Sequence, residues 1–318
     1  MQLLIDAKDK QGPIRLHIEV ANQFAVEGRW LRGTFHCHVG DIDEPSAVCD
    51  HYRRLGFGFL GSSDYNRVTV LPASTGELIT LDGAEVFHPA QTDLLHVICT
   101  GLRREVKPLN GRLDDVARLV GDTRDQGGLA ILAHPFWSDL TWHELTAVCG
   151  MGVAGFEVSN RLCWQINGKG RADQLWQMLL GKGHRPAAIG ADDAYCWDDD
   201  VVGRAWTGVL ATEATPAGVL DAVRARRTYA SEGPRFIGVD FCGDVVRVRA
   251  SPCIACHFTS RGFGARSVRS PRPVEQFELS LVEDGYRLED WLCVCLEDER
   301  GRRAWSSAID MKVHTSRR

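Results

Sequence analysis

His36-Cys37-His38 sets two imidazoles two residues apart. On an extended strand alternate side chains share a face, so both rings point the same way, roughly 6–7 Å apart at the backbone. Two such rings can share one metal ion. The pair gains weight from the residues downstream of it, because short apolar runs keep leading to side chains that bind metals. Phe57-Gly58-Phe59-Leu60 leads to Asp64, and Leu78-Ile79-Thr80-Leu81 to Glu85. Leu129-Ala130-Ile131-Leu132-Ala133 leads to His134, and Ala187-Ala188-Ile189-Gly190 to Asp192-Asp193. His96 lies in an apolar stretch around Leu94-Leu95 and Val97-Ile98. Imidazoles and carboxylates together suit Zn²⁺, Mn²⁺ or Fe²⁺. A single histidine in an apolar run, as at His96, is also how a hydrogen-bonded core residue reads. Of the adjacent pair, Asp193 is preferred to Asp192 as a ligand.

The elements that must carry these residues alternate between Arg32 and Ala230. Apolar runs are interleaved with helical periodicity over Pro45 to Leu55, Leu113 to Asp125 and Ala172 to Leu180, the last two stopped by Gly127-Gly128 and by Gly181 and Gly183. This order predicts an α/β fold with a mostly parallel sheet. Polar residues at the carboxyl ends of successive strands are the pattern of a β/α barrel active site. An open doubly wound sheet also binds ligands there, and the spread over six strands favours closure.

After Thr228-Tyr229-Ala230-Ser231-Glu232-Gly233-Pro234 the pattern becomes all-β, with runs at Val245–Val248, Phe277–Leu281 and Trp291–Leu296 and a turn at Asp298-Glu299-Arg300-Gly301. A C-terminal β-sandwich is expected there. The Gly- and Arg-rich stretch 261–273 reads as a mobile loop. Alternation in Ile14-Arg15-Leu16-His17-Ile18-Glu19-Val20 predicts that the first thirty residues add a strand or hairpin to one of the domains. The expected divisions are 1–30, 31–231 and 232–318.

The chain has 318 residues, 44% apolar and 25% charged, with a net charge of −5. That balance supplies no basic footprint for nucleic acid. The N-terminus lacks a basic region followed by a long apolar stretch, and no apolar run nears the roughly 20 residues of a membrane span, so the cytoplasm is the expected location. Eleven cysteines, an odd number without regular spacing, read as buried thiols. Cys253-Ile254-Ala255-Cys256-His257 has the spacing of a c-type haem attachment, and Cys293 and Cys295 invite a zinc clip. Both readings rank below free thiols.

Taken in order, the motifs resemble those of the PHP (polymerase and histidinol phosphatase) superfamily, nearest to its two-domain branch of phosphoesterases and carbaryl-hydrolase-like proteins. Trp30-Leu31-Arg32-Gly33-Thr34-Phe35-His36-Cys37-His38 resembles the opening motif, with Asp43 where the next acid is usual. Ser63-Asp64-Tyr65-Asn66 resembles Thr-Asp-His-Asn, Gly83-Ala84-Glu85 resembles Gly-x-Glu, and His134-Pro135 resembles His-Pro. Glu157-Val158-Ser159-Asn160 is similar to a further signature, and Asp192-Asp193-Ala194-Tyr195 stands where Asp-Ala-His is expected. The likeness continues through Tyr229 to Pro234 and Arg303 to Ile309.

The resemblance implies a distorted, seven-stranded β/α barrel followed by a β-sandwich. It implies two divalent metal ions (Zn, Mn or Fe): one on His36, His38, Glu85 and Asp193, the other on the shared Glu85 with His96 and His134. A third metal of the family uses the position of Asp43 and two histidines that are Tyr65 and Tyr195 here. Neutral phenols are poor ligands at pH 7, so the third ion is expected to be lost, with the two tyrosines lying together beside Asp43. Asp43, Asp64, Tyr65 and Tyr195 are the catalytic candidates. Asn160, Arg161 and Arg67 are candidates for holding substrate, with Lys169 and Arg204 near the same motifs.

The implied activity is hydrolysis of a small, anionic phosphoester by a metal-activated hydroxide. Carboxyl ester or carbamate hydrolysis is the alternative within the same chemistry. A catalytically silent binding protein with part of the metal cage is the alternative outside it.

Overall fold

Alternating apolar residues shape the first element of the computed structural model, which describes residues 1–9, 12–75, 77–90, 95–111, 113–261, 265–281 and 290–317. Strands β1 (Gln2–Asp9) and β2 (Gly12–Ala21) pair antiparallel, with Leu3, Ile5, Leu16, Ile18 and Val20 on the buried side.

The chain divides into two units, Gly28–Glu232 and a second made of Met1–Glu27 with Gly233–Arg318. The first unit alternates strands and helices: β3 (Arg29–Thr34), α1 (Val39–Ile42), α2 (Pro45–Arg54), β4 (Phe59–Gly61), β5 (Ile79–Leu81), β6 (Gly83–Val86), β7 (Val97–Thr100), α3 (Leu113–Asp125) and β8 (Leu129–Leu132). It continues with α4 (Trp142–Gly150), β9 (Gly155–Asn160), α5 (Arg161–Asn167), α6 (Asp173–Gly181), β10 (Ala187–Ala191), β11 (Trp206–Ala211), α7 (Pro216–Arg224) and β12 (Thr228–Ser231). Its strands are short and almost wholly buried, as expected of runs covered on both faces.

These strands fall in two sheets, ordered β12-β11-β3-β4-β5 and β10-β9-β8-β7-β6. Parallel pairing joins β3, β4 and β5, and likewise β8, β9 and β10. Both sheets are nonetheless mixed, because β11 is antiparallel to β3 and β12, and β7 to β6 and β8. Single bridges between Cys37 and Ala194 and between Tyr65 and Glu85 tie one sheet to the other. Leu31, Phe35, Phe59, Ile98, Ile131 and Ile189 form one core drawn from both sheets, with Val219 and Val223 of α7 against it. Burying each such side chain contributes about 1.5–3 kcal/mol. Gly83 sets the height of β6: an added Cβ would lie 2.5 Å from the carbonyl oxygens of both Cys99 and Ser62.

The antiparallel course of β7 corrects one expectation. The sequence pattern groups His96 with the set at strand carboxyl ends, but it stands just before β7, at its amino end. Because β7 runs against β8, that end lies at the same edge of the sheet as the carboxyl end of β8, which leads to His134.

The second unit holds β13 (Phe236–Cys242), β14 (Val245–Thr259), β15 (Ala265–Ser280), β16 (Trp291–Glu297), β17 (Arg303–Ser306) and β18 (Ile309–Arg317). All its pairings are antiparallel, with β2 between β1 and β18 and β14 between β13, β15 and β16. Within the 261–273 stretch the chain is strand and not loop from Ala265 onward. Ala265 to Arg269 pairs with β14 as part of β15, and 262–264 lie outside the described residues. Among the described residues β15 pairs with β14 alone, and its exposed Arg266, Arg269, Arg272 and prolines are the side chains that protect a free edge.

Candidate metal centre

Each expected metal ligand arrives from a different element of the 28–232 unit, except that the extension of β3 carries both His36 and His38. That extension is held straight by His38 N–H donating to the Ala194 carbonyl (2.8 Å) and Cys37 N–H to Ser63 Oγ (2.8 Å). Glu85 lies within β6, His96 before β7, His134 after β8 and Asp193 after β10. All six are buried; Glu85 is 1% exposed. His134 and Asp193 adopt left-handed backbone, with φ of 24° and 57°, a conformation that costs about 1–3 kcal/mol and that clusters at functional sites.

Glu85 divides the imidazoles between its two oxygens. Oε1 lies 2.7 Å from His96 Nδ1 and 3.0 Å from His134 Nε2. Oε2 lies 3.4 Å from His36 Nε2 and 3.3 Å from His38 Nε2. Asp193 Oδ1 closes on the same pair, at 2.9 Å from His36 and 3.3 Å from His38. Despite these distances, Nε2 of His36 and of His38 are buried and make no hydrogen bond among the described residues. Both nitrogens face the same two carboxylate oxygens, Glu85 Oε2 and Asp193 Oδ1. His36, His38 and Asp193 each offer a ligand atom within 4.8 Å of the others, as do His36, Glu85 and His134. A buried polar atom without a partner costs about 1–3 kcal/mol, and a divalent cation removes that cost for the whole group. The donor set therefore fits divalent metal ions.

Electrostatics agree. Burial favours neutral imidazole at His36, but Asp193, Glu157 and Glu85 outweigh it and raise its pKa well above the usual value. For His38 burial is again overcome, by Asp193 and Glu85, and the pKa rises to about 9. His134 rises too, against burial, through Glu85. Burial acts to raise the Glu85 and Asp193 carboxyls, yet the facing histidines hold both below the carboxylate range. The centre stores negative charge that protons occupy when no cation does.

Behind these ligands stands Glu157, to which the motif spacing assigns no role. Its Oε1 lies 2.7 Å from His36 Nδ1, and its Oε2 accepts from His134 N–H (2.8 Å) and Asn160 Nδ2 (3.0 Å). Asn160 also donates from Nδ2 to Asp193 Oδ2 (2.9 Å), while its Oδ1 accepts from Cys163 N–H to cap α5. With its amide committed and 1% exposed, Asn160 orients the carboxylates, a different place from the substrate contact expected of it. Asp192 faces away from Asp193, accepting from Tyr52 Oη (2.7 Å) and Gly203 N–H (2.8 Å), and burial lifts its pKa to about 6.

The remaining candidates scatter around the centre. The Tyr65 ring packs 4.4 Å from the His38 ring and edge-on to Phe87; burial raises its phenol pKa, which keeps it neutral. Tyr195 is 45% exposed, and no hydrogen bond or ring contact joins it to Tyr65 among the described residues. Asp43 is exposed, its Oδ1 accepting from Glu44 N–H (2.8 Å); the acid beside His38 is Asp41, with Oδ2 4.0 Å from Nδ1. Among the described residues no hydrogen bond, ion pair or ring contact links Tyr65, Tyr195 and Asp43 to one another. The short helix α1 explains the exchange: Asp41 turns back over His38 three residues earlier, while Asp43 caps α1 in extended backbone.

Asp64 is buried and accepts from Gly40 N–H (2.9 Å). Arg67 stands next to it, since an added Cβ at Gly40 would lie 2.6 Å from Arg67 Nη2 and 3.4 Å from both Asp64 oxygens. Arg161 is engaged elsewhere, donating to the Asp200 carbonyl and Gln165 and covering Trp164. Arg204 donates to the Asp199 carbonyl, and Lys169 pairs with Asp139. Among the described residues no cysteine belongs to a potential metal group, and Cys253, Cys256, Cys293 and Cys295 are buried free thiols.

No family model matches this chain, and no curated protein does. Among solved structures it is similar to a two-domain protein from Bacteroides vulgatus ATCC 8482 containing a predicted PHP-like metal-dependent phosphoesterase. The TM-score is 0.50 at 17% identity, over 85% of this chain and 90% of that one. The shared property is the fold: a mixed α/β chain like that two-domain PHP-like protein. Among the described residues no helix is long and apolar enough to cross a membrane.

Proposed function

We propose that residues 28–232 form a metal-dependent hydrolase of ester bonds with a dinuclear centre. His36, His38, Glu85 and Asp193 would hold one ion, and Glu85, His96 and His134 the other. The observation that carries this reading is the division of Glu85, whose two oxygens each face a different pair of imidazoles. In this reading the two sheets, stitched by their single bridges, act as a distorted barrel around the site, and the antiparallel unit is a sandwich.

When bound, a metal pair of this kind lowers the pKa of a water toward neutrality and draws charge from a substrate oxygen. The chain's own residues do the rest. Glu157 and Asn160 lock the ligands in place, and Arg67 is the guanidinium next to the centre that can meet an anionic substrate. Tyr65, neutral and half exposed beside His38, can donate its Oη–H to a substrate oxygen. The substrate class is a small phosphoester, the reading that the PHP-like likeness favours, with cytoplasmic location as part of the proposal.

The test is purified protein supplied with Mn²⁺ or Zn²⁺ and screened against phosphomonoesters, phosphodiesters and carboxyl esters, with His134→Ala as control. Turnover by the wild type and its loss in the variant support the hydrolase. Two tightly bound ions with no turnover of any ester would favour the silent binding protein.

A further inference from the structure

We propose that Asp64 is a positioning residue for His38: through a water shared with Asp41, it accepts the hydrogen bond from the N–H that His38 must keep on Nδ1 when Nε2 serves the metal centre. The inference rests on the dinuclear reading above and adds a residue to its outer shell.

Three of the four histidines have Nδ1 accounted for. In His36 it meets Glu157 Oε1 at 2.7 Å, in His134 Ser138 Oγ at 3.1 Å, and in His96 Glu85 Oε1 at 2.7 Å. His38 differs, because its Nδ1 is buried with no hydrogen-bond partner among the described residues. A neutral imidazole has one lone pair and one N–H. Nε2 faces Glu85 Oε2 and Asp193 Oδ1 at 3.3 Å each, the carboxylates with which it would share a cation; with a cation on Nε2 the ring's one proton sits on Nδ1, which then needs an acceptor.

Two carboxylates lie beside His38, Asp41 on the Nδ1 side and Asp64 within the same cluster. His38, Asp41 and Asp64 each place an atom within 4.8 Å of the others, with Asp41 Oδ2 4.0 Å from Nδ1. Asp64 is 2% exposed, and its Oδ2 is buried with no partner among the described residues. Its Oδ1 accepts from Gly40 N–H at 2.9 Å, and the Arg67 guanidinium lies over Gly40 on the same side, where an added Cβ would meet Nη2 at 2.6 Å. A separation of 4.0 Å is too long for a direct bond. A water making two bonds of about 2.8 Å at a tetrahedral angle spans about 4.5 Å between its partners.

The same three residues could be taken for a third cation site. His38 argues against that, since ligating through Nδ1 as well as Nε2 would require a fully deprotonated ring. Carboxylates that accept from the far nitrogen of a metal-bound histidine fix its tautomer and orientation, and their loss typically weakens metal binding about 10–100-fold.

The experiment compares wild type with Asp64→Asn, which keeps the size and the Gly40 contact but places a donor opposite a donor. Mn²⁺ or Zn²⁺ affinity is measured by chelator competition, and the His38 tautomer by nitrogen NMR of the metal-loaded protein. Affinity should fall about 10–100-fold, with the Nδ1–H signal of His38 slowed against exchange in wild type and lost or shifted in the variant; Asp64→Glu should recover part of the affinity. The wild-type signal stands without any variant, so a misfolded Asp64→Asn does not shelter the idea. Unchanged affinity and tautomer would overturn it while leaving the dinuclear centre intact. Three ions in wild type and two in Asp64→Asn would overturn it in favour of the cation site. A wild type that binds no metal would overturn both.

Discussion

The two units differ in what they bury. Residues 28–232 bury four histidines together with Asp64, Glu85, Glu157, Asp192 and Asp193, whereas Asp298 is the single buried ionisable acid or histidine among the described residues of the other unit. Asp298 is also differently served. It accepts from the backbone of Arg300 and Arg302 and pairs with the Arg302 guanidinium, so its own turn neutralises it. In the first unit Glu85, Glu157 and Asp193 face imidazoles, and Nε2 of both His36 and His38 has no hydrogen-bond partner among the described residues. A buried charge paired within one turn belongs to folding. Buried charges gathered from β3, β6, β8, β9 and β10, with the ligand atoms of each potential metal group within 4.8 Å of one another, have no folding rationale strong enough to keep them together.

Glu85→Gln should produce the largest effect, because one substitution removes the charge shared by all four imidazoles. Bound metal, read by elemental analysis after dialysis, should fall below one ion per chain, and turnover should fall by more than the 10–100-fold expected for an outer-shell loss. A variant that melts earlier yet keeps its metal would place Glu85 with Asp298, as a structural charge. Glu157→Gln comes next. It keeps the shape but weakens the hold on His36, so metal affinity should drop about 10–100-fold while the metal-free protein stays folded.

How far these residues are legible depends on where their information lies. His36, His38, Glu85, His134 and Asp193 sit at places a strand pattern can mark, and the structure brings them together. Glu157 lies inside a recognisable motif that assigns it nothing. The available signal is an acid between Phe156 and Val158 in a run that proves buried throughout, since a lone charge there demands a partner. Which partner it finds depends on the parallel register of β9 beside β8, and no single sequence shows that. Asp41 and Asp43 cannot be ranked without the four-residue helix α1 that carries the chain between them. The edge strand β15 reads as a loop because arginine, proline and glycine mark loops and protected edges alike.

Acidity offers a subtler contrast. The raised His36 and His38 must lose protons to accept metal, so affinity should climb as pH rises from about 6.5 toward about 9, with protons released on binding. In the metal-free protein the sign reverses. The ion pairs of His38 stabilise the fold fully below its unfolded pKa of about 6.5 and are lost as pH rises through about 9. Melting with and without metal across that window should therefore diverge. Parallel curves would show that these histidines do not exchange protons for a cation.

The smallest effect on the centre should come from the largest insult to the other unit. Phe258 is fully buried in β14, and Phe258→Ala should cost about 3–5 kcal/mol of stability there through the cavity it leaves. Every proposed ligand and outer-shell residue comes from 28–232, so metal affinity per folded chain should stay within about twofold, the range in which independent sites add. Chelator competition below the melting temperature, alongside a denaturant titration, separates the two quantities. Intact affinity beside a large loss of stability would confirm that binding and packing are divided between the units. A matching loss of affinity would show that the antiparallel unit helps to hold the centre in shape, and the line between the two would have to be redrawn.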